Sequence, residues 1–228
     1  MTVMAAGTMD LAQRRRLARR LIGRAGRGFA ERAGFQVSNN PANLFQLLCL
    51  SLLAAGRRDE DRAVRAARAL RERGWDSAAR LARSPYERRV TAIRDAIGQR
   101  DASELAGTLG TLAEAVVDGY QGDLRRLRTR AGHDPTRERR LLRELPGVSD
   151  AAVDLFFREV QAGWREVGPF ADRRALAAAR RLGLGRSTAE LSEVAGGGES
   201  EKLAWLVSAL VRVDLDRDYG AARQLARA

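Results

Sequence analysis

Apolar positions recur along almost the whole chain at helical spacing. Leu105, Leu109, Leu112 and Val116 follow one another at intervals of four, three and four, which stacks them on one helix face. Leu203, Leu206, Val207, Leu210 and Val211 form a second such stripe towards the C-terminus. The two-residue alternation of a half-buried strand is almost absent, so the pattern predicts an all-α chain. Breaks fall at Asn39-Asn40-Pro41, Gly74, Ser84-Pro85, Gly98, Gly119, residues 132–135, Pro146-Gly147, Gly168-Pro169, residues 183–185 and the glycine run 196–198. Reading between them gives about ten to twelve helices of ordinary length. The connections are too short for a linker between independent domains, and no internal repeat is found.

Composition narrows the function classes. The 228 residues suffice for one well-buried domain or two small ones sharing an interface. The chain has 41 Lys and Arg against 29 Asp and Glu, a formal charge of +12, and Lys202 is the sole lysine. Abundant arginine and alanine are also what a GC-rich genome produces, yet this charge still predicts attraction to polyanions. Nucleic acid is the first partner class and an anionic membrane surface the second. The longest apolar run, residues 44–55, is about half of what a membrane span needs. The basic region 9–32 lacks the tryptophan and bulky apolar surface of an interfacial helix, and no signal-peptide pattern opens the chain. Cys49, the one cysteine, lies in an apolar run and reads as a buried thiol. One cysteine excludes an intrachain disulfide and any all-cysteine metal site, and makes a reducing cytoplasm the expected compartment.

The most informative segment is residues 134–155, DPTRERRLLRELPGVSDAAVDL. Asp134 can cap a helix that starts at Pro135, with Leu141, Leu142 and Leu145 facing inward. Pro146-Gly147 forces a turn. Ser149 can then cap a second helix bearing Ala152, Val153, Leu155 and Phe156. Two helices joined at a steep angle by Leu-Pro-Gly-Val form a helix-hairpin-helix pattern, whose turn amides and helix N-terminus suit one phosphate oxygen. The same turn also joins packed helices in many proteins that bind no phosphate. Downstream, Gly168-Pro169-Phe170-Ala171-Asp172 opens a helix that ends in Arg-Arg-Leu-Gly-Leu at 180–184. Asp172 lies 25 residues past Gly147. Taken alone, it reads as a helix cap.

Together these marks resemble the helix-hairpin-helix, endonuclease III-like superfamily of base-excision DNA glycosylases, over roughly residues 42–184. They are the apolar helix beginning Pro41-Ala42-Asn43-Leu44-Phe45, the Leu145-Pro146-Gly147-Val148 hairpin, and Asp172 ahead of Arg-Leu-Gly-Leu. The stretch from Val160-Gln161-Ala162-Gly163-Trp164 to Asp172 is similar to an actinobacterial branch. The resemblance implies a two-lobed helical fold: a central lobe over 42–163, and a second lobe from 1–41 with 164–228. Double-stranded DNA would lie across the cleft between them. It implies Asp172 as the catalytic aspartate, and Gly147, Val148 and Ser149 as the phosphate-binding hairpin. Arg137, Arg139 and Arg140 would then be DNA contacts, as would Arg57 or Arg58 near the position of a stack-plugging glutamine. Arg125, Arg126, Arg128 and Arg130 are also placed for phosphate contact. A monomer in the bacterial cytoplasm, associated with the nucleoid, is expected.

Departures from the family pattern matter as much. Ala151 stands where bifunctional members carry a Schiff-base lysine, so base removal without strand cleavage is the expectation. The four cluster-binding cysteines after Arg-Leu-Gly-Leu are missing, so no iron–sulfur cluster and no other cofactor is expected. Ser149 replaces the second hairpin glycine, and Ile97-Gly98-Gln99-Arg100-Asp101 replaces a Gly-Tyr-rich segment. Other residues read blandly. His133, the only histidine, suits a loop or cap. Asp214, Asp216 and Asp218 read as a solvated helix end, because Arg217 and the missing glycine and distal glutamate spoil a calcium loop. Trp75, Trp164 and Trp205 read as core, with Trp164 close enough to Asp172 in sequence to line a pocket. The arginines at 14–16, 19, 20, 24 and 27 suit one charged helix, either solvated or facing phosphates. Two rival readings stay open: a non-catalytic DNA-binding protein on the same scaffold, and a helical protein-interaction module.

Overall fold

The structure is a computed structural model and describes residues 9–25, 28–55, 60–198 and 200–227. Among the described residues it is entirely helical: α1 (Leu11–Ala25), α2 (Phe29–Arg32), α3 (Pro41–Ala54), α4 (Glu60–Glu72), α5 (Ala78–Ala82), α6 (Tyr86–Ile97), α7 (Ala102–Tyr120), α8 (Leu124–Ala131), α9 (Pro135–Arg143), α10 (Asp150–Val160), a 3-10 turn (Arg165–Val167), α11 (Arg173–Leu182), α12 (Thr188–Ala195), α13 (Ser200–Leu215) and α14 (Tyr219–Arg227). These fourteen α-helices exceed the ten to twelve that periodicity gives. The surplus includes α2 and α5, each too short to repeat an apolar spacing. Gly119 does not break α7, which runs one residue further and ends on Gln121 in the left-handed conformation.

The chain divides into two compact units, Phe29–Gly168 and Met1–Gly28 with Pro169–Ala228. The boundaries lie at 28/29 and 168/169, rather than at 41/42 and 163/164. Polar contacts at Glu159 and Trp164 explain the added segments. The Glu159 carboxylate accepts the N–H groups of Phe29 and Ala30 at 2.6 and 2.9 Å, which ties α2 to α10. The Trp164 indole N–H donates to Asn39 Oδ1 at 3.1 Å, which holds the 3-10 turn region to the start of α3.

The central unit is built around α3. Its helix starts where Asn40 caps the N–H of Ala42 at 2.9 Å and Pro41 supplies a preset first turn. From Leu44 to Ala54 every residue is buried, as an all-round apolar helix must be. Cys49 is buried among them, and burial pushes its thiol pKa far up, so it stays neutral. Helices α4, α8 and α10 pack on α3, while α6 and α7 pack on each other. The stripe Leu105, Leu109, Leu112 and Val116 is buried throughout. Arg89 enters that packing with its guanidinium. Its N–H groups donate to the carbonyls of Ala106 at 3.0 Å and of Ser84, and to Ser84 Oγ at 3.1 Å. The guanidinium crosses directly over Gly110, where a Cβ would overlap Nη2.

In the unit formed by the chain ends, α13 is the central helix. Its stripe Leu203, Leu206, Val207, Leu210 and Val211 is buried against Leu17 and Leu21 of α1, Ala178 and Leu182 of α11, and Leu191 of α12. The three carboxylates near its end keep contact with solvent, Asp216 most of all, and each also has an arginine neighbour. Asp214 lies near Arg174 and Arg181 and accepts the Tyr219 hydroxyl at 2.7 Å. Asp216 faces Arg212, and Asp218 pairs with Arg24 at 2.5 Å. No helix among the described residues is long and apolar enough to cross a membrane.

Candidate functional site

The hairpin forms as its sequence dictates. Asp134 accepts the Arg137 N–H at 2.9 Å and Pro135 begins α9, whose Leu141 and Leu142 are buried together with Leu145 beyond its end. Ser149 Oγ accepts the Ala152 N–H at 3.2 Å and opens α10, with Ala152, Val153 and Phe156 fully buried. Gly147 takes a φ of 74°, and any Cβ there would overlap Cγ2 of Thr108 on α7 and lie 3.1 Å from Leu52 Cδ1. Glycine is therefore required twice over, by conformation and by space.

The amides of the turn divide by role. The Val148 N–H turns back to the Leu145 carbonyl at 3.2 Å, and the Val148 side chain is buried in the core. Val148 is thus a structural residue of the turn, not an outward donor. Gly147 and Ser149 are exposed, and no hydrogen bond engages their N–H groups among the described residues. Beside them Asp150 starts α10, its carboxylate 2.5 Å from Arg143 and 3.8 Å from Arg139. The N-terminal end of α10 therefore carries an exposed carboxylate paired with Arg143, with Arg139 at the edge of ion-pair distance. Ala151, next in line, is exposed.

The basic residues around the hairpin also separate. Arg139 pairs with Asp154 and lays its guanidinium over the Phe157 ring, 5.3 Å from the centroid, so it cross-links α9 to α10. Arg125 is held by both oxygens of Asp123, and Arg128 by both oxygens of Glu166. Arg140 stands 4.0 Å from Glu144, one turn on. Arg126, Arg130 and Arg137 have no ion pair among the described residues and supply the least committed charge. Arg57 and Arg58 lie outside the described residues, as does Arg27.

Behind the hairpin sits a cluster that the sequence reading passed over. Glu138 of α9 is fully buried, and among the described residues no N–H or O–H donates to either of its carboxyl oxygens. The group that faces it is the carboxyl of Glu166. Glu166 is held by Arg128 and has His133 Nδ1 at 3.5 Å. Arg128 in turn covers the ring of Trp164, at 5.3 Å from its centroid. Trp164 is wholly buried, edge-on to Phe156 at 5.6 Å, so it is core rather than a pocket wall. Burial and the adjoining Glu166 charge push the Glu138 pKa up to about 8, while Arg128 holds Glu166 below the usual carboxylate range despite its own burial. Glu138 was legible in one respect. It precedes Leu141, Leu142 and Leu145 by three, four and seven residues, which puts an acid on the apolar stripe of α9.

Asp172 belongs to the unit formed by the chain ends and opens α11. It is buried, and its Oδ1 accepts the Ala175 N–H at 2.9 Å. The helix-cap role read from sequence is therefore present in the geometry.

The chain is similar in structure to a non-covalent endonuclease III–DNA complex, with a TM-score of 0.50 and 16% identity over 90% of this chain and 86% of that one. It is also similar to a trapped endonuclease III–DNA covalent intermediate, an estranged-adenine complex, with a TM-score of 0.46 and 19% identity over 78% of this chain and 75% of that one. No family model and no curated protein sequence matches it. The fold is the helical endonuclease III-like one.

Proposed function

We propose that this protein grips duplex DNA through the 147–149 turn and excises a damaged or mismatched base as a monofunctional N-glycosylase. The observation that carries this reading is the pair of exposed amides at Gly147 and Ser149, unengaged at the start of α10. Two such N–H groups and a helix N-terminus can hold one phosphate oxygen, a contact that positions a protein on DNA without reading sequence. That the fold's solved neighbours include an endonuclease III bound to DNA supports the same choice of ligand.

In this reading the target base leaves the stack, at a cost of a few kcal/mol that damage or mispairing reduces. Loss of the base leaves positive charge on the sugar. Asp172, buried and already oriented by its bond to the Ala175 amide, supplies the opposing charge or aligns water. Ala151 offers no amine at the hairpin, so the product is an intact strand with an abasic site. The donor set for an iron–sulfur cluster is wanting, since the one cysteine is buried in α3. We take the protein to act without a cofactor, as a monomer in the bacterial cytoplasm, associated with the nucleoid.

A second reading is a DNA-binding protein without catalysis. What favours it is that Asp172 is engaged as a helix cap and that Asp150 sets a carboxylate beside the phosphate-facing amides. A panel of duplexes carrying uracil, alkylated, oxidised or mismatched bases, followed by hot alkali, decides between them. Strand scission on at least one lesion, lost in Asp172→Asn, is the expected result. Binding without scission on any lesion leaves the second reading, and a flat response of affinity to salt rejects both.

A further inference from the structure

Four features that read blandly in the sequence meet in the unit formed by the chain ends: the arginine run of α1, the sole lysine, the glycine run and Trp205. They surround one pocket of about 330 Å³, within the size range of small-molecule sites. Ile22 and Val194 contribute apolar wall, and Trp205, half-buried, adds an aromatic one. Arg15, Arg19 and Lys202 contribute charge, and no acidic side chain lines the pocket among the described residues. The placement is built rather than accidental. Arg15 donates from Nε and Nη2 to the Glu193 carbonyl, at 3.4 and 3.3 Å, which fixes it across the C-terminal end of α12. Arg19 follows one helical turn later on the same side of α1 and has no ion pair among the described residues. Gly196 ends α12, and the chain turns so that Lys202, in the first turn of α13, faces the same space.

Arg15, Arg19 and Lys202 each attract an anion brought to this pocket, and hydrogen bonds from charged donors to an anion are the stronger ones. An inorganic ion would leave the apolar wall unused. A neutral apolar molecule would leave the cations unused. We propose that this pocket binds a small organic anion with a flat apolar body, its phosphate or carboxylate held by Arg15, Arg19 and Lys202 and its body against Trp205 and Ile22. This site is independent of the DNA reading, and either can fail alone.

The test is calorimetric titration of the full chain with 1-naphthyl phosphate, 1-naphthoate, adenosine monophosphate and the neutral 1-naphthol. Saturable binding with one site per chain is expected for at least one of the three anions. Which anion binds tightest separates an aromatic acid from a nucleotide as the natural class. 1-Naphthol should bind at least about tenfold more weakly, and Arg19→Gln and Lys202→Gln should each weaken the anion about tenfold, the change expected for one charge-assisted contact. Arg83→Gln, at an exposed arginine of the other unit, should leave it unchanged. Three results would overturn the proposal: no saturable binding of any anion, equal affinity for 1-naphthol, or equal weakening by Arg83→Gln. The last would mean diffuse attraction to a cationic chain.

Discussion

The carboxyl of Glu138 faces that of Glu166 with no donor among the described residues directed at Glu138, although Arg128 and His133 both approach Glu166. Two carboxylates cannot accept from each other, so the pair is compatible with the buried interior only when it holds a proton. Glu138 is the member that keeps it, since Arg128 stabilises the charge of Glu166. The joint between α9 and the 3-10 turn is thus a protonated acid pressed against an ion pair.

A pH dependence of stability follows, and its sign is opposite to that of an ordinary surface acid. Glu138 holds its proton in the folded chain up to about pH 8, whereas in the unfolded chain it loses it near 4.3. The folded state binds the extra proton between those values, so stability falls as pH rises from about 4.3 through about 8, by at most about 1.4 kcal/mol per pH unit. Urea unfolding of Glu138→Gln, whose amide can donate to Glu166 at any pH, should lack this decline. Parallel profiles for the two proteins between pH 5 and 9 would rule out the shared proton.

Gly147→Ala tests the hairpin turn. The alanine must adopt a φ near 74° and overlap Thr108 Cγ2, which should cost about 2–4 kcal/mol. Thr108→Ser removes the overlapping methyl and keeps a hydroxyl for the Glu104 carbonyl. Combined with Gly147→Ala, it should recover about half the loss. If it recovers nothing, conformation alone demands the glycine.

Asp150 and Arg137 should affect DNA binding in opposite directions. Asp150→Asn removes a carboxylate beside the open amides, and duplex affinity should rise about threefold to tenfold at low salt. The lost pairs with Arg143 and Arg139 are exposed and should cost no more than about 1 kcal/mol of stability. Arg137→Gln should lower affinity and reduce the salt slope by about 0.9, with stability unchanged. Arg139→Gln should do the reverse, lowering stability with little change in slope, because its guanidinium joins Asp154 to the Phe157 ring. Electrophoretic shifts at several salt concentrations, beside urea curves, separate these outcomes.

Asp172 has a structural and a proposed chemical duty, and asparagine separates them. Asn caps helices about as well as Asp, so Asp172→Asn should keep stability within about 0.5 kcal/mol, while Asp172→Ala should cost about 1 kcal/mol. Loss of base release in the stable Asn variant is the expected outcome. Release at the normal rate would assign Asp172 to capping alone.

Much of this molecule was determined by the sequence alone, because much of it is local. The stripes of α7 and α13, the Asn40-Pro41, Asp134-Pro135 and Ser149 starts, and the Pro146-Gly147 turn depend on spacing and backbone preference within about one helical turn. What the tertiary structure decided depends on partners distant in the chain. It withdrew Val148 and Arg139 from the open surface, joined residues 29–41 to the central unit through Glu159 and Asn39, and set Glu138 against Glu166. It also drew Arg19, Lys202 and Trp205 to one pocket across nearly the full length of the chain. Helix periodicity assigns a residue to a face, but which charge meets that face is set by packing. Only packing tells a committed arginine from an available one.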